Sequence, residues 1–378
     1  MTNLSPDLIG AAAGLPTPTG QPAHYWHTTG DGRVQCDLCP RECRLREGQR
    51  GFCFVRARAG DELVLTTYGR SSGFCIDPIE KKPLSHFLPG TSVLSFGTAG
   101  CNLGCKFCQN HEISTSRQMD SLAAEASPDA IAVAAQEWGC RSVALTYNDP
   151  VIFAEYGMDV ADACRARGIA SVAVTAGYVQ GEARTDFFSH MDAANVDLKG
   201  FSDSFYRQLT GARLQPVLDT LTHLVHETDV WVELTTLLIP GSNDSDEELT
   251  AMCEWVVREL GPDVPHHFSA FHPDHRMPDV PATPLSTLTR ARDIAHAAGE
   301  RYVYTGNVVN RDGEATRCPG CGATVVERDR YRLLDHRIVV DADGVGHCPE
   351  SATVIAGRFE PEPGDFGPRR IPIAIRPV

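Results

Sequence analysis

The sequence predicts an α/β fold: a partial barrel of six strand–helix units, flanked by small cysteine-rich modules. From about Thr91 to about Gly306, short β-rich runs alternate with amphipathic helical stretches, the pattern of a parallel sheet with helical crossovers. The 14 cysteines fall mostly into tight clusters rather than spreading as a framework. In a chain of 378 residues that usage points to metal or redox chemistry instead of disulfides. One cluster follows directly on the first barrel strand, at the end of the sheet where loops carry chemistry.

The elements follow in order. The opening stretch, to about Gln21, is rich in Pro, Gly and Ala and lacks a basic region before its short, broken apolar run. Residues 1–30 are therefore expected as a mobile tail without a signal peptide. Residues 31–90 form a four-cysteine module with its lead-in, and residues 91–310 the barrel. Candidate strands start at Val93, Ser142, Ala170, Ala194, Val230 and His267. Helical patterns cover 128–139, 151–168 and 245–260, the last with Ser245 as N-cap and Glu248 at capping-box spacing. A flavodoxin-like doubly wound sheet is the rival arrangement. After Gly306-Asn307 the alternation stops, and residues 311–378 form a cysteine-containing accessory segment.

Composition limits the function classes. Hydrophobic residues make up 42% and charged ones 22% of the chain, which excludes disorder as a whole. No apolar run approaches the ~20 residues of a membrane span. The 34 Lys and Arg against 49 Asp and Glu give a net charge of −15, a field opposing the phosphate attraction behind nucleic-acid affinity. Neither nucleic acid nor membrane is expected as a partner, and the expected compartment is the cytoplasm.

The strongest signal is Gly100-Cys101-Asn102-Leu103-Gly104-Cys105-Lys106-Phe107-Cys108. This C-x3-C-x2-C loop offers three thiolates, enough for three irons of a [4Fe-4S] cube. The fourth iron is then open to a small molecule, the logic that separates catalytic from structural zinc sites. Gly100 and Gly104 let the backbone wrap closely. A three-thiolate zinc site is the plainer alternative.

With Phe107 just before the third cysteine and a strand in front, the loop resembles that of the radical S-adenosylmethionine (SAM) superfamily. The continuation Cys108-Gln109-Asn110 with Glu112-Ile113-Ser114, and the upstream run DPIEKKPLSHFLPG from Asp77, resemble more narrowly the radical SAM component of the AmmeMemoRadiSam system, a relative of pyruvate formate-lyase activating enzymes. The resemblance extends from about Cys36 to the C-terminal cysteines. It implies a partial (β/α)6 TIM-like barrel and a [4Fe-4S] cluster whose open iron is chelated by SAM. It further implies one-electron cleavage of SAM to methionine and a 5′-deoxyadenosyl radical, which abstracts hydrogen from a protein or small-molecule substrate. An electron donor such as a flavodoxin or ferredoxin, and protein partners from the same system, are implied with it.

The same resemblance assigns site residues. Tyr147-Asn148-Asp149-Pro150 stands where the family contacts the SAM amino group, so Asn148 and Asp149 are expected cofactor contacts, although this branch more often has Glu than Asp. Asn-Asp-Pro is also good turn chemistry for closing a strand and opening a helix. Asp197 and Lys199 flank Leu198, and strand alternation puts both on one face. The equivalent Asp-x-Lys pair lies at the SAM and substrate pocket of the activating enzymes, which makes these two the expected catalytic residues; a salt-bridged strand end is the structural alternative. His272 matches in position a histidine near the SAM ribose, and Phe107 shapes the pocket. Thr175-Ala176-Gly177 stands where related enzymes commonly read Thr-Asn-Gly, so either one polar contact is absent or another residue supplies it.

Two modules flank the barrel. Cys36-x2-Cys39-x3-Cys43, followed by Cys53, supplies four thiols for zinc or for a second iron–sulfur cluster, and spacing alone does not choose. Cys318-x2-Cys321 is half a zinc knuckle, and its complement reads Cys348-Pro349-Glu350-Ser351, one ligand short. Either His347 or His336 replaces the missing ligand, or the ribbon is degenerate and metal-free. The lone Cys75, Cys140, Cys164 and Cys253 are expected as small buried hydrophobes.

Three function classes follow. A radical SAM enzyme is the first, with a glycyl-radical-enzyme activase as its narrower form. A non-catalytic iron–sulfur or zinc scaffold would bind metal without turning over SAM. A conventional SAM methyl transferrer would need no three-cysteine cluster, and no Gly-rich nucleotide loop opens a helix after the first strand.

Overall fold

The computed structural model describes residues 18–116 and 124–376. Its framework is one nine-stranded sheet: β1 (Phe74–Pro78), β2 (Ser92–Phe96), β3 (Ser142–Leu145), β4 (Ala170–Thr175), β5 (Ala193–Asp197), β6 (Trp231–Leu238), β7 (His266–Ala270), β8 (Val303–Gly306) and β9 (Ile371–Ile373). The strands lie in the order β8-β7-β6-β5-β4-β3-β2-β1-β9. Strands β2 to β8 are parallel, and β1 and β9 extend the edge antiparallel. The crossovers carry α1 (Pro128–Glu137), α2 (Ala154–Arg165), α3 (Gly181–Ser189), α4 (Gln215–Glu227), α5 (Asp246–Trp255) and α6 (Leu285–Ala298). The six-unit partial barrel is therefore present, with a seventh parallel strand that the four-residue VYTG run was too short to announce. The sheet does not close among the described residues: β8 and β9 are its two free edges.

Period-two alternation divides the core. Leu94, Phe96, Val143, Leu145, Ala173, Ala194 and Val196 share one cluster with helix residues such as Ile131, Val160, Phe187 and Leu221. Val93, Ala144, Val172 and Ala193 point the other way and meet Ile79, Leu84 and Phe87. The segment 79–90, the DPIEKKPLSHFLPG run without its first two residues, is thus laid across the inner face of the half-barrel. Polar groups fix it there. Glu233 accepts the N–H groups of Ser85 (2.9 Å) and His86 (2.8 Å), and Asn195 donates to the carbonyl of Pro83 (2.8 Å). From the other side the C-terminal segment closes over it, with Arg358 N–H on the His86 carbonyl at 2.7 Å and Phe366 N–H on that of Gly90 at 3.0 Å.

Helix starts follow their caps. Ser127 Oγ accepts Ala130 N–H at 3.2 Å ahead of Pro128, and Ser245 Oγ accepts Glu248 N–H at 3.2 Å. The expected capping box at α5 is only half made. Glu248 does not reach back but accepts Phe201 N–H at 2.6 Å, tying the helix to the loop after β5.

The part of the expected 1–30 tail that is described, residues 18–30, carries regular structure. Residues 1–17 lie outside the described residues, but Gln21–Pro22 and Trp26–Thr28 are strands. Ala23 is buried, His24 N–H donates to Glu155 at 2.7 Å, and Trp26 Nε1–H donates to the Ala23 carbonyl at 2.9 Å. Glu155 also pairs with buried Arg56, so a desolvated carboxylate in α2 demands donors, and the lead segment supplies one. No described helix is long and apolar enough to cross a membrane.

Candidate active site

Leaving β2, the chain enters residues 97–110, and its neighbours hold the backbone there. A methyl group at Gly97 would overlap the carbonyl of Thr146 in the loop after β3. Asn148 is the main staple: its Oδ1 accepts Thr98 N–H at 3.0 Å, and its Nδ2 donates to the Gly100 carbonyl at 2.8 Å and to Thr98 Oγ1 at 3.3 Å. The expected SAM contact Asn148 thus spends its amide on the cysteine loop. Gly104 and Lys106 N–H donate to the Thr210 and Leu209 carbonyls, both at 2.8 Å, and Arg276 N–H donates to the Lys106 carbonyl at 2.9 Å. Arg41 reaches in from the N-terminal module to the carbonyls of Asn102 and Gly211.

With the backbone so held, the thiols of Cys101, Cys105 and Cys108 are free of disulfides. Burial pushes the Cys105 thiol up to about 12 against the pull of Lys199, and raises Cys101 as well. As metal ligands both would serve as thiolates. Their donor spacing bears on which metal. Four thiolates around one zinc at ~2.3 Å sit roughly 3.8 Å apart. Among the described residues, two trios of possible ligands have donor atoms within 4.8 Å of one another, Cys318–Cys321–Cys348 and Cys253–His266–Glu300. The Cys101, Cys105 and Cys108 sulfurs do not all lie within 4.8 Å of one another, a spread that a multi-iron cluster accommodates. The donor set therefore fits the cluster.

Lys199 and Asp197 come together as expected, Nζ to Oδ2 at 2.8 Å. Burial opposes the ammonium charge, yet Asp197 and the Cys105 thiol outweigh it and raise the Lys199 pKa. The ammonium lies 6.0 Å from the centre of the Phe107 ring, whose other neighbour is Phe205, also at 6.0 Å. Tyr206 OH accepts Lys199 N–H at 3.1 Å, and Asn243 donates to the Lys199 carbonyl at 2.8 Å, so the pair rests on a rigid turn.

Asp149 is buried and heavily committed. Its Oδ1 accepts Val151 N–H (3.1 Å) and Thr175 Oγ1–H (3.0 Å), and its Oδ2 accepts Ala176 N–H (3.1 Å). It caps the Pro150–Phe153 turn, the role Asn-Asp-Pro chemistry suggested, and it occupies the backbone of the Thr175-Ala176-Gly177 site. His272 is exposed just beyond β7.

Sequence reasoning passed over several neighbours. Ser114 Oγ lies 3.2 Å from Cys108 Sγ, and the His111 ring stacks on that of His275 at 4.7 Å, with Asp274 at 3.4 Å from His111 Nδ1. Asp77 gathers Lys81 (2.9 Å), Lys82 (2.8 Å) and the Tyr147 hydroxyl (3.1 Å). Burial works against its carboxylate, but the two lysines hold the Asp77 pKa down at about 2. The DPIEKK charges were the available signal for that group.

In the flanking modules, Cys36, Cys39 and Cys53 are buried and Cys43 partly so, and no three of these sulfurs lie within 4.8 Å among the described residues. At the other end Cys318, Cys321 and Cys348 do converge, but neither expected histidine joins them. His347 turns to Asp341 (2.8 Å), and His336 packs near Phe359, its ring centre 6.3 Å away. Of the cysteines expected as lone, Cys75, Cys140 and Cys164 are buried, whereas Cys253, also buried, stands beside His266 and Glu300.

An open parallel half-barrel with a three-cysteine loop at the exit of its first parallel strand, faced by an Asp–Lys pair, is the arrangement expected of a radical SAM fold. Comparison with known proteins agrees: the Radical SAM superfamily profile matches residues 96–253. The chain is 40% identical over 333 residues to the uncharacterized protein MJ0808 of Methanocaldococcus jannaschii, covering 88% of this chain and 99% of that one. It is 28% identical over 102 residues to the choline trimethylamine-lyase activating enzyme of Oleidesulfovibrio alaskensis, covering 27% of this chain and 33% of that enzyme. A radical SAM methyltransferase structure from Sphaerobacter thermophilus aligns with a TM-score of 0.44 at 16% identity, over 76% of this chain and 77% of that one. The chain belongs to the radical SAM superfamily.

Proposed function

We propose that this chain is a [4Fe-4S]-dependent radical SAM enzyme that cleaves SAM reductively and takes hydrogen from a protein or small-molecule substrate, in the cytoplasm. The carrying observation is the Lys199–Asp197 pair set beside Cys105 and Phe107. When bound, the cluster would supply the one-electron chemistry of reductive SAM cleavage, with the electron coming from an external donor. Cys101, Cys105 and Cys108 hold it as thiolates. Lys199, kept cationic by Asp197, presents its ammonium to the SAM carboxylate. Phe107 and Phe205 exclude water from that side, while Asn148 and Asp149 fix the cysteine loop and the β4 exit relative to each other. His272, exposed just beyond β7, is the residue this reading assigns to the SAM ribose.

The likeness to an activating enzyme supports a protein substrate, and with it the glycyl-radical-activase form of the reading; a flavodoxin or ferredoxin is the fitting donor. A passive scaffold would have no use for a half-buried ammonium beside the cluster thiols. Cys36, Cys39, Cys43 and Cys53 offer four thiols to zinc or to a second iron–sulfur cluster, and iron analysis separates the two at about four against about eight atoms per chain.

The test is spectroscopic. In anaerobically reconstituted, dithionite-reduced protein, adding SAM is expected to change the electron paramagnetic spectrum in wild type and to leave it unchanged in Lys199→Ala at equal iron content. A wild-type spectrum indifferent to SAM would overturn the reading.

A further inference from the structure

The C-terminal cysteines repeat one backbone turn twice. In the first copy, Cys318 N–H donates to the Ala323 carbonyl at 2.8 Å and Gly322 N–H to the Cys318 carbonyl at 2.9 Å. In the second, Cys348 N–H donates to the Thr353 carbonyl at 2.9 Å and Ala352 N–H to the Cys348 carbonyl at 2.9 Å. The fifth residue of each is left-handed, Gly322 at φ +77° and Ala352 at φ +56°. Ala352 accepts that conformation although it carries a Cβ, so the turn is held against its local preference. Each turn begins Cys-Pro, and the position filled by Cys321 in the first is filled by Ser351 in the second.

The side chains converge to match. Cys321 Sγ and Cys348 Sγ are 3.7 Å apart, and Ser351 Oγ is 3.4 Å from Cys318 Sγ. A disulfide would require a far shorter sulfur–sulfur distance of ~2.0 Å, whereas thiolates around one zinc at ~2.3 Å stand about 3.8 Å apart. All three sulfurs fall within 4.8 Å of one another. We infer that Cys318, Cys321 and Cys348 bind one zinc ion in a tetrahedral site whose fourth ligand is the Ser351 oxygen. The ribbon is then not degenerate: serine has taken the place of the fourth cysteine, and no histidine is needed.

The site has a structural consequence. Seven residues beyond Ser351, Arg358 bonds the His86 carbonyl, and the Ala356 carbonyl bonds His86 Nδ1 at 2.6 Å. The ion would fasten the turn from which the chain runs onto the segment covering the inner face of the half-barrel.

The full-length protein, prepared anaerobically, is analysed for zinc and iron in wild type, Cys348→Ala and Ser351→Cys, and for absorption after replacement of zinc by cobalt. Cys348→Ala is expected to lose one zinc per chain with iron unchanged. Ser351→Cys is expected to keep its zinc and, in the cobalt form, to raise the thiolate-to-metal charge-transfer band by about one third, from three thiolates to four. Equal zinc in wild type and Cys348→Ala would overturn the site, and a cobalt band unmoved by Ser351→Cys would overturn the serine ligand. Neither readout depends on SAM turnover.

Discussion

A methyl group at Gly100 would overlap the carbonyl oxygen of Cys53, so the N-terminal four-cysteine module and the barrel's cysteine loop meet backbone to backbone. Gly100 also sits at φ +83°, where a side chain is strained. Gly100→Ala is therefore expected to cost about 1–3 kcal/mol and to lower iron retention. Thermal unfolding and iron analysis check it; unchanged values in both would remove this contact from the account.

Asn148 leads to a second expectation. Replacing it with Ala leaves Thr98 N–H and the Gly100 carbonyl short of a buried partner, at about 1–3 kcal/mol per unsatisfied group. The variant should release iron to a chelator faster than wild type while its far-ultraviolet circular dichroism stays the same. Iron release at the wild-type rate would return Asn148 to the role of a SAM contact.

The sequence made the parallel sheet and the cysteine loop legible because both rest on local patterns: alternating apolar runs, glycines at the loop and thiols at fixed intervals. The Lys199–Asp197 pairing was legible as two opposite charges two residues apart, although strand alternation is not its cause, since β5 ends at Asp197 and Lys199 lies beyond it. What escaped was set by distance along the chain. Nothing local to Ile371–Ile373 says that it pairs with Phe74–Pro78, and nothing in Glu233 says that it receives Ser85 and His86 from nearly 150 residues earlier. Ser351 was passed over because a ligand was sought among histidines; the matching Cys-Pro starts of the two turns were the signal.

Lys199 carries the third prediction. Lys199→Ala is expected to retain the wild-type iron content but to lose at least about tenfold in SAM cleavage, whereas Lys199→Arg, still cationic, should recover part of it. Single-turnover assays at matched iron content decide this. Equal activity in wild type and Lys199→Ala would leave only a structural salt bridge.

Glu80 gives a pH dependence. It is buried, accepts Gly90 N–H through Oε1 at 2.6 Å, and has no hydrogen-bond partner at Oε2. Burial raises its pKa from 4.5 to about 7, although Arg328 and the Gly90 N–H pull it down. A carboxyl with a raised pKa holds its proton longer in the folded state, so its share of stability is whole below about pH 4.5 and is lost as pH rises through about 7. Glu80→Gln keeps the acceptor for Gly90 and cannot ionise. The variant should match wild type at pH 4.5 and be more stable at pH 8 by about 1–3 kcal/mol, measured by denaturant unfolding. A difference that does not grow with pH would contradict the buried, proton-retaining carboxyl.

The most direct test is the yield of 5′-deoxyadenosine. Protein reconstituted anaerobically with iron and sulfide is given SAM and dithionite, beside Cys105→Ala treated identically. The account predicts product from wild type and none from the variant. No product from a wild-type protein with its cluster fully loaded would contradict it.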